Sequence, residues 1–153
     1  QVATFSEKEI QDIGMIRISL DILSIKLAAI YGSKAELLNL KSIAEQCLEA
    51  FKNKDGVKRR KLDSDFHKEL CRISKNNLLF NMQEDLSLKI QFILMHNDFK
   101  SVNDEQHLYQ HIQIVDALIE GDIEKALKLD IQHLSEFYCL DIDSPIEFFL
   151  KNA

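Results

Sequence analysis

Apolar residues recur three and four positions apart along most of the chain, the spacing that lines one face of a helix. Turn residues are scarce: four glycines and a single proline, Pro145, leave little chemistry for a multistranded sheet. Ser6 with Glu9 and Ser33 with Glu36 form capping boxes, in which each side chain satisfies a backbone N–H at a helix start. They predict helices over 7–31 and 34–52. The polar stretch NKDGVK, 53–58, interrupts the pattern, which then resumes through about Ser74, with Asn76 and Asn77 read as the end of that helix. An amphipathic run follows from about Leu78 to His96. Asn103 with Gln106 starts the next helix, which runs to Glu120 and stops at Gly121. Asp122 caps a sixth, to about Leu140, and Ser144, Pro145 and Glu147 supply the N-cap, first-turn proline and capping-box glutamate of a short last helix. With no repeat, low-complexity segment or linker, residues 1–153 read as one all-α domain, an antiparallel bundle of six or seven helices.

Composition narrows the function more than the fold. A hydrophobic content of 46% in 153 residues supports one core. Nineteen basic against twenty-five acidic residues give a formal charge of −6, which repels a phosphate backbone, so direct nucleic-acid binding by this chain is not expected. The basic cluster Lys58, Arg59, Arg60 and Lys61 lacks interleaved aromatics and reads as a solvated helix start. Three cysteines without C-x-x-C spacing, no signal-peptide pattern and no apolar span of about 18 residues predict a cytoplasmic protein with reduced thiols and no membrane partner. Cys47 and Cys139 read as small core residues, and Cys71 as packing rather than a soft ligand.

Chemistry concentrates in the stretch LDSDFHKEL. Asp63 and His67, one helical turn apart, share the apolar face of Phe66 and Leu70. His111 lies on the stripe of Leu108, Val115 and Leu118, and His133 on that of Ala126, Phe137 and Leu140. Burying a carboxylate and several imidazoles without a shared partner costs several kcal/mol. A divalent cation is the economical partner, with Asp63 offering oxygen and His67, His111 and His133 nitrogen. His107, four residues before His111, leaves an H-x-x-x-H pair open as a rival, and His96 reads as exposed.

These residues resemble a known family. D-x-x-F-H at 63–67, I-S-K-N at 73–76, H-x-x-I-x-x-A-L at 111–118, G-D at 121–122 and A-x6-H from Ala126 to His133 are similar to the FCD domain, the C-terminal effector-binding domain of the FadR branch of GntR-type bacterial transcription regulators. R-I-S-L-D at 17–21 with Leu27, Ala28 and Ala29 is similar to that family's R-x-x-L-E and L-A-A. The ligand spacings of 4, 44 and 22 residues fit its metal-binding pattern. The resemblance implies Asp63, His67, His111 and His133 as metal ligands, demotes His107, and implies a homodimer. It also implies a winged helix-turn-helix for DNA that this chain does not contain, whether excised or lost. Asp21 stands where the family usually has Glu, and Asn77 where a proline often follows the asparagine.

Three nitrogens and one oxygen suit Zn first, with Ni, Mn or Fe as alternatives, and a six-coordinate cation keeps two positions for a carboxylate of a small organic acid. Arg17, among apolar Ile13, Leu20 and Leu27, is a candidate clamp for that anion, with Asn76 as a further candidate effector contact. The competing reading makes Arg17, Asp21 and Ser24 a solvated line on the helix exterior, and Asn76 a helix terminus. The expected function is a metal-dependent effector sensor and not an enzyme. The alternative is a metalloenzyme using the same Asp/His3 site, which needs a free carboxylate as general base; none is assignable from the sequence.

Overall fold

The protein is described by a computed structural model covering residues 5–96 and 104–151. Among these residues there are seven helices and no strand: α1 (Glu7–Tyr31), α2 (Lys34–Lys52), α3 (Gly56–Ile73), α4 (Asn77–His96), α5 (Glu105–Glu120), α6 (Ile123–Phe137) and α7 (Pro145–Leu150). Both capping boxes form. The Ser6 hydroxyl accepts from the Glu9 amide at 3.2 Å while Glu9 accepts from the Ser6 amide at 2.7 Å, and Ser33 and Glu36 repeat the exchange. Caps of this kind stabilise a helix by about 1 kcal/mol.

Several boundaries differ from the sequence reading. α3 begins inside the polar stretch 53–58, because the Asp55 carboxylate accepts from the Lys58 amide at 3.0 Å and caps it there. Asn76 does not end α3; its side-chain oxygen accepts from the Leu79 amide at 3.0 Å and so starts α4. Asn103 lies outside the described residues, and the cap of α5 is Asp104, whose carboxylate accepts from the His107 amide at 2.8 Å. α6 stops at Phe137 rather than near Leu140, since the amides of Cys139 and Leu140 turn back to the carbonyls of Glu136 and Ser135. That turn leaves Cys139 left-handed at φ 50° and exposed, not in the core. Pro145 does open α7, but Ser144 is left-handed at φ 52° and makes no side-chain cap, because the hydroxyl reaches the third amide only from extended backbone.

α2 packs against α3 and α5, α5 against α6, and α1 against α3, α4 and α6. Phe66, Leu70, Ile112, Val115 and Leu118 belong to one apolar cluster, and Ile10, Ile18, Ile90, Ile131 and Tyr138 to a second. Each fully buried side chain of this size contributes about 1.5–3 kcal/mol. Along α1, Arg17 and Asp21 separate Ile10 from Ile25; along α6, Asp130 separates Leu127 from Ile131. Polar residues thus occupy the interior between two greasy halves. α1 approaches the end of α6 closely because Gly14 has no Cβ: one built there would stand 2.7 Å from the Tyr138 Cβ. No helix among the described residues is long and apolar enough to cross a membrane.

Gly121 closes α5 at φ +79°, with open space where a Cβ would go, so any cost of a side chain is purely conformational. Gly121→Ala is expected to lower stability by about 1 kcal/mol, or about 2–4 °C in melting temperature. An unchanged melting curve would contradict that account of the turn.

Candidate metal centre

Helical spacing on α3 brings Asp63 and His67 onto the face that carries Phe66 and Leu70 into the core, while α5 and α6 contribute His111 and His133 from the opposite side. One oxygen of Asp63 and one ring nitrogen from each of His67, His111 and His133 all lie within 4.8 Å of one another. Phe66 packs against two of the rings, with centroids 4.5 Å from His111 and 5.3 Å from His67. The three histidines are buried; Asp63, at 25% side-chain exposure, is the only one of the four that reaches water.

Neighbouring groups fix which nitrogens face inward. His67 Nδ1 donates to Asp21 Oδ2 at 2.6 Å, and His133 Nδ1 donates to Gln110 Oε1 at 2.9 Å. In both rings this leaves Nε2 with its lone pair available, the arrangement in which a second-shell acceptor orients a metal-binding imidazole. His111 has no hydrogen-bond partner at either nitrogen, and its Nε2 stands 3.4 Å from Asp63 Oδ1.

Burial drives the His111 pKa down to about 3 against the opposing charge of Asp63. It also holds His133 well below its ordinary value, with His111 adding to the effect, and lowers His107. For Asp63 burial acts upward, but interactions with His111, His67, Arg17 and Arg59 outweigh it and keep the carboxyl below its ordinary value. Neutral His111 and His133 beside an ionised Asp63 are in the protonation states that ligation requires. The guanidinium of Arg17 lies among Asp21, Asp63 and Asp130, of which Asp130 is held protonated by burial and by the neighbouring Asp21. The orphaned nitrogens of His111 and the N3O donor set both fit a divalent cation.

The other candidates fall as follows. His107 is buried and stacks on His133 with centroids 4.0 Å apart, but it stands outside the four-atom group; its Nδ1 is 3.8 Å from Glu136. His96 is exposed and stacked on Phe92. Cys71 contacts the Ser24 hydroxyl at 2.9 Å, and burial pushes both its thiol and that of Cys47 up to about 12, which makes them inert. Arg17, Asp21 and Ser24 are all buried, so the solvated line proposed for the exterior of α1 is instead an interior one, ending on Asp21 bonded to His67. Asn76 is exposed and occupied in capping α4.

Sequence reasoning missed Asp130, Gln83 and Gln110. Asp130 is fully buried, and its pKa is raised well above the carboxylate range by burial and then by the charge of Asp21. Its signal was present: it lies four residues after Ala126 and three before His133, on the stripe already assigned to the core.

No curated protein matches the chain. Among solved structures, E. coli McbR/YncC is similar in fold, with a TM-score of 0.76 at 17% sequence identity over 88% of this chain and 68% of that one. The FCD domain family matches residues 12–136, and with that span covering most of its length the chain belongs to the FCD domain family.

Proposed function

We propose that this domain is the effector sensor of a GntR-type transcription regulator of the FadR branch, binding a small organic acid at a divalent cation held by Asp63, His67, His111 and His133. Family membership supports the sensor role. The observation that carries the metal is the convergence of four ligand atoms within 4.8 Å, one of them on a ring with no hydrogen bond of its own. When bound, the cation, Zn in the first instance, offers positive charge and open coordination positions to carboxylate oxygens. Asp21 and Gln110 hold the tautomers of His67 and His133. Arg17, buried with its Nε unpartnered, is positioned to clamp the acid from α1. Occupancy biases the positions of α1, α3 and α6, and a DNA-binding domain beyond these residues reads the change in a cytoplasmic homodimer. On the exposed side of α1, Ile16, Leu23 and Ile30 recur every seven residues, an apolar line suited to a second copy.

The test is a thermal-shift screen of small organic acids on metal-loaded and chelator-stripped protein. A true effector at a hundredfold excess over its Kd stabilises by about 2.7 kcal/mol, several degrees, in the loaded protein only. Equal shifts in both preparations would sink the coordination mechanism. The same screen is followed for product: multiple turnover of any acid would favour the metalloenzyme.

A further inference from the structure

We infer that the hollow between the end of α6 and α7 is a second ligand site, separate from the histidine cluster, and that it takes a small uncharged molecule with an apolar body and one hydroxyl or carbonyl group. The hollow measures about 470 Å3, a usual size for a small-molecule pocket, and Leu140, Pro145 and Ile146 give it an apolar wall. Ser135 lines it as well. That residue is only 7% exposed, yet its Oγ has no hydrogen-bond partner. A serine inside a helix commonly turns its hydroxyl back on the carbonyl one turn earlier, as Ser24 does to Leu20 at 2.7 Å; Ser135 does not. A buried hydroxyl without a partner is destabilising and uncommon in native folds, so one facing an apolar hollow points to a ligand that brings the missing bond.

The surrounding backbone holds the hollow open. The amides of Cys139 and Leu140 bond the carbonyls of Glu136 and Ser135 at 3.2 and 3.0 Å, and Gln11 on α1 donates to the Cys139 carbonyl at 3.3 Å. Cys139 and Ser144, both left-handed, bracket the loop from α6 to α7, a conformation that persists in such residues only where the surroundings enforce it. Leu140 and Ile146 pack against the second apolar cluster, which anchors the wall on the core. Charge then selects the occupant. On the polar edge the Gln132 amide donates to Glu136 Oε1 at 2.9 Å, so its nitrogen is engaged and a carboxylate meets whatever enters. Among the described residues no lysine or arginine lines the hollow, so an organic acid is repelled there without compensation. An ammonium group would give up water for a mostly apolar wall. An uncharged molecule meets neither obstacle, and the Ser135 hydroxyl can donate to a carbonyl or accept from a hydroxyl.

The test uses hexan-1-ol, hexanoate and hexylammonium on metal-loaded and chelator-stripped protein. Cys139 on the rim supplies the readout, because it is exposed while Cys47 and Cys71 are buried with thiols pushed up to about 12. Iodoacetamide should therefore label Cys139 first, followed by intact mass. At about a tenfold excess over its Kd, hexan-1-ol should slow that labelling about tenfold in both preparations. Ser135→Ala should weaken the protection by about threefold to tenfold, the worth of one hydrogen bond, without lowering the melting temperature. Ile146→Trp, which fills the hollow, should abolish it. Labelling that hexan-1-ol does not slow overturns the site. Equal protection by hexanoate or hexylammonium overturns the uncharged class, and protection that requires the metal assigns the ligand to the histidine cluster instead. Undiminished protection in Ser135→Ala, or a marked loss of stability in that variant, overturns the role given to its hydroxyl.

Discussion

His111→Ala is expected to empty the domain of its metal. Wild-type protein purified without chelator should hold about one divalent cation per chain by elemental analysis. The variant should hold less than about a tenth of that, because losing an acceptor that merely orients a ligand already weakens binding by about 10–100-fold, and losing the ligand itself does more. His111 is the sharpest choice among the four, since neither of its nitrogens is committed elsewhere and the substitution breaks no hydrogen bond of the scaffold. Stability gives a second readout. A cation at a thousandfold excess over its Kd stabilises by about 4 kcal/mol, so chelation should lower the wild-type melting temperature by roughly 8–16 °C and leave the variant's almost unmoved. His96→Ala, on an exposed ring, should behave as wild type. A full metal equivalent retained by His111→Ala, or metal-free wild type, would remove the site.

Acid should begin to destabilise the stripped domain at pH values above the carboxylate range. In the unfolded chain His111 takes up its proton near pH 6.5, while in the fold it holds out until about 3. Between those values the unfolded state binds a proton that the native state refuses, so stability is complete above pH 6.5 and falls as pH drops toward 3. The slope is about 1.4 kcal/mol per pH unit for each such ring, or about 2.7 kcal/mol from His111 alone at pH 4.5. His133, displaced in the same direction, steepens the loss. Against an ordinary 5–15 kcal/mol of stability, the His111 contribution alone removes between about a fifth and a half by pH 4.5. Urea midpoints of chelator-treated protein at pH 7, 5.5 and 4.5 measure it; a flat profile would show that the histidines are not buried neutral.

What the sequence made legible was whatever depends on neighbours along the chain. Ser6 with Glu9, Ser33 with Glu36 and Gly121 each act within one turn, and each stands where it was read. The convergence of four side chains was legible for a related reason: Asp63 and His67 share an apolar stripe, as do His111 and His133 with theirs. The misreadings have the opposite character. Arg17, Asp21 and Ser24 form a polar line on α1, and a polar line faces solvent unless another helix brings polar partners to it. His67, Gln83 and Asp130 are those partners, and they come from α3, α4 and α6, too far away in sequence for periodicity to announce. Cys139 and Ser144 failed for backbone reasons, since both are left-handed, which composition does not forecast for residues other than glycine or asparagine.

The uneven exposure of Asp63, His67, His111 and His133 bears on the rate at which a cation held there would exchange, a separate matter from how tightly it would be held. Three of them are sealed in the interior and only Asp63 meets solvent, so a departing ion has one side to leave by, past a carboxylate one turn from Arg59 and against the packed rings of Phe66 and His111. Extraction then waits on local opening between α3 and α5 and not on the strength of the chelator. Doubling the chelator concentration would leave the half-time unchanged, whereas loosening that seam by warming would shorten it. A metal bound there during folding would thereby be retained long after the free ion has been removed from solution, so that the domain would carry a lasting record of the ion present when it first closed.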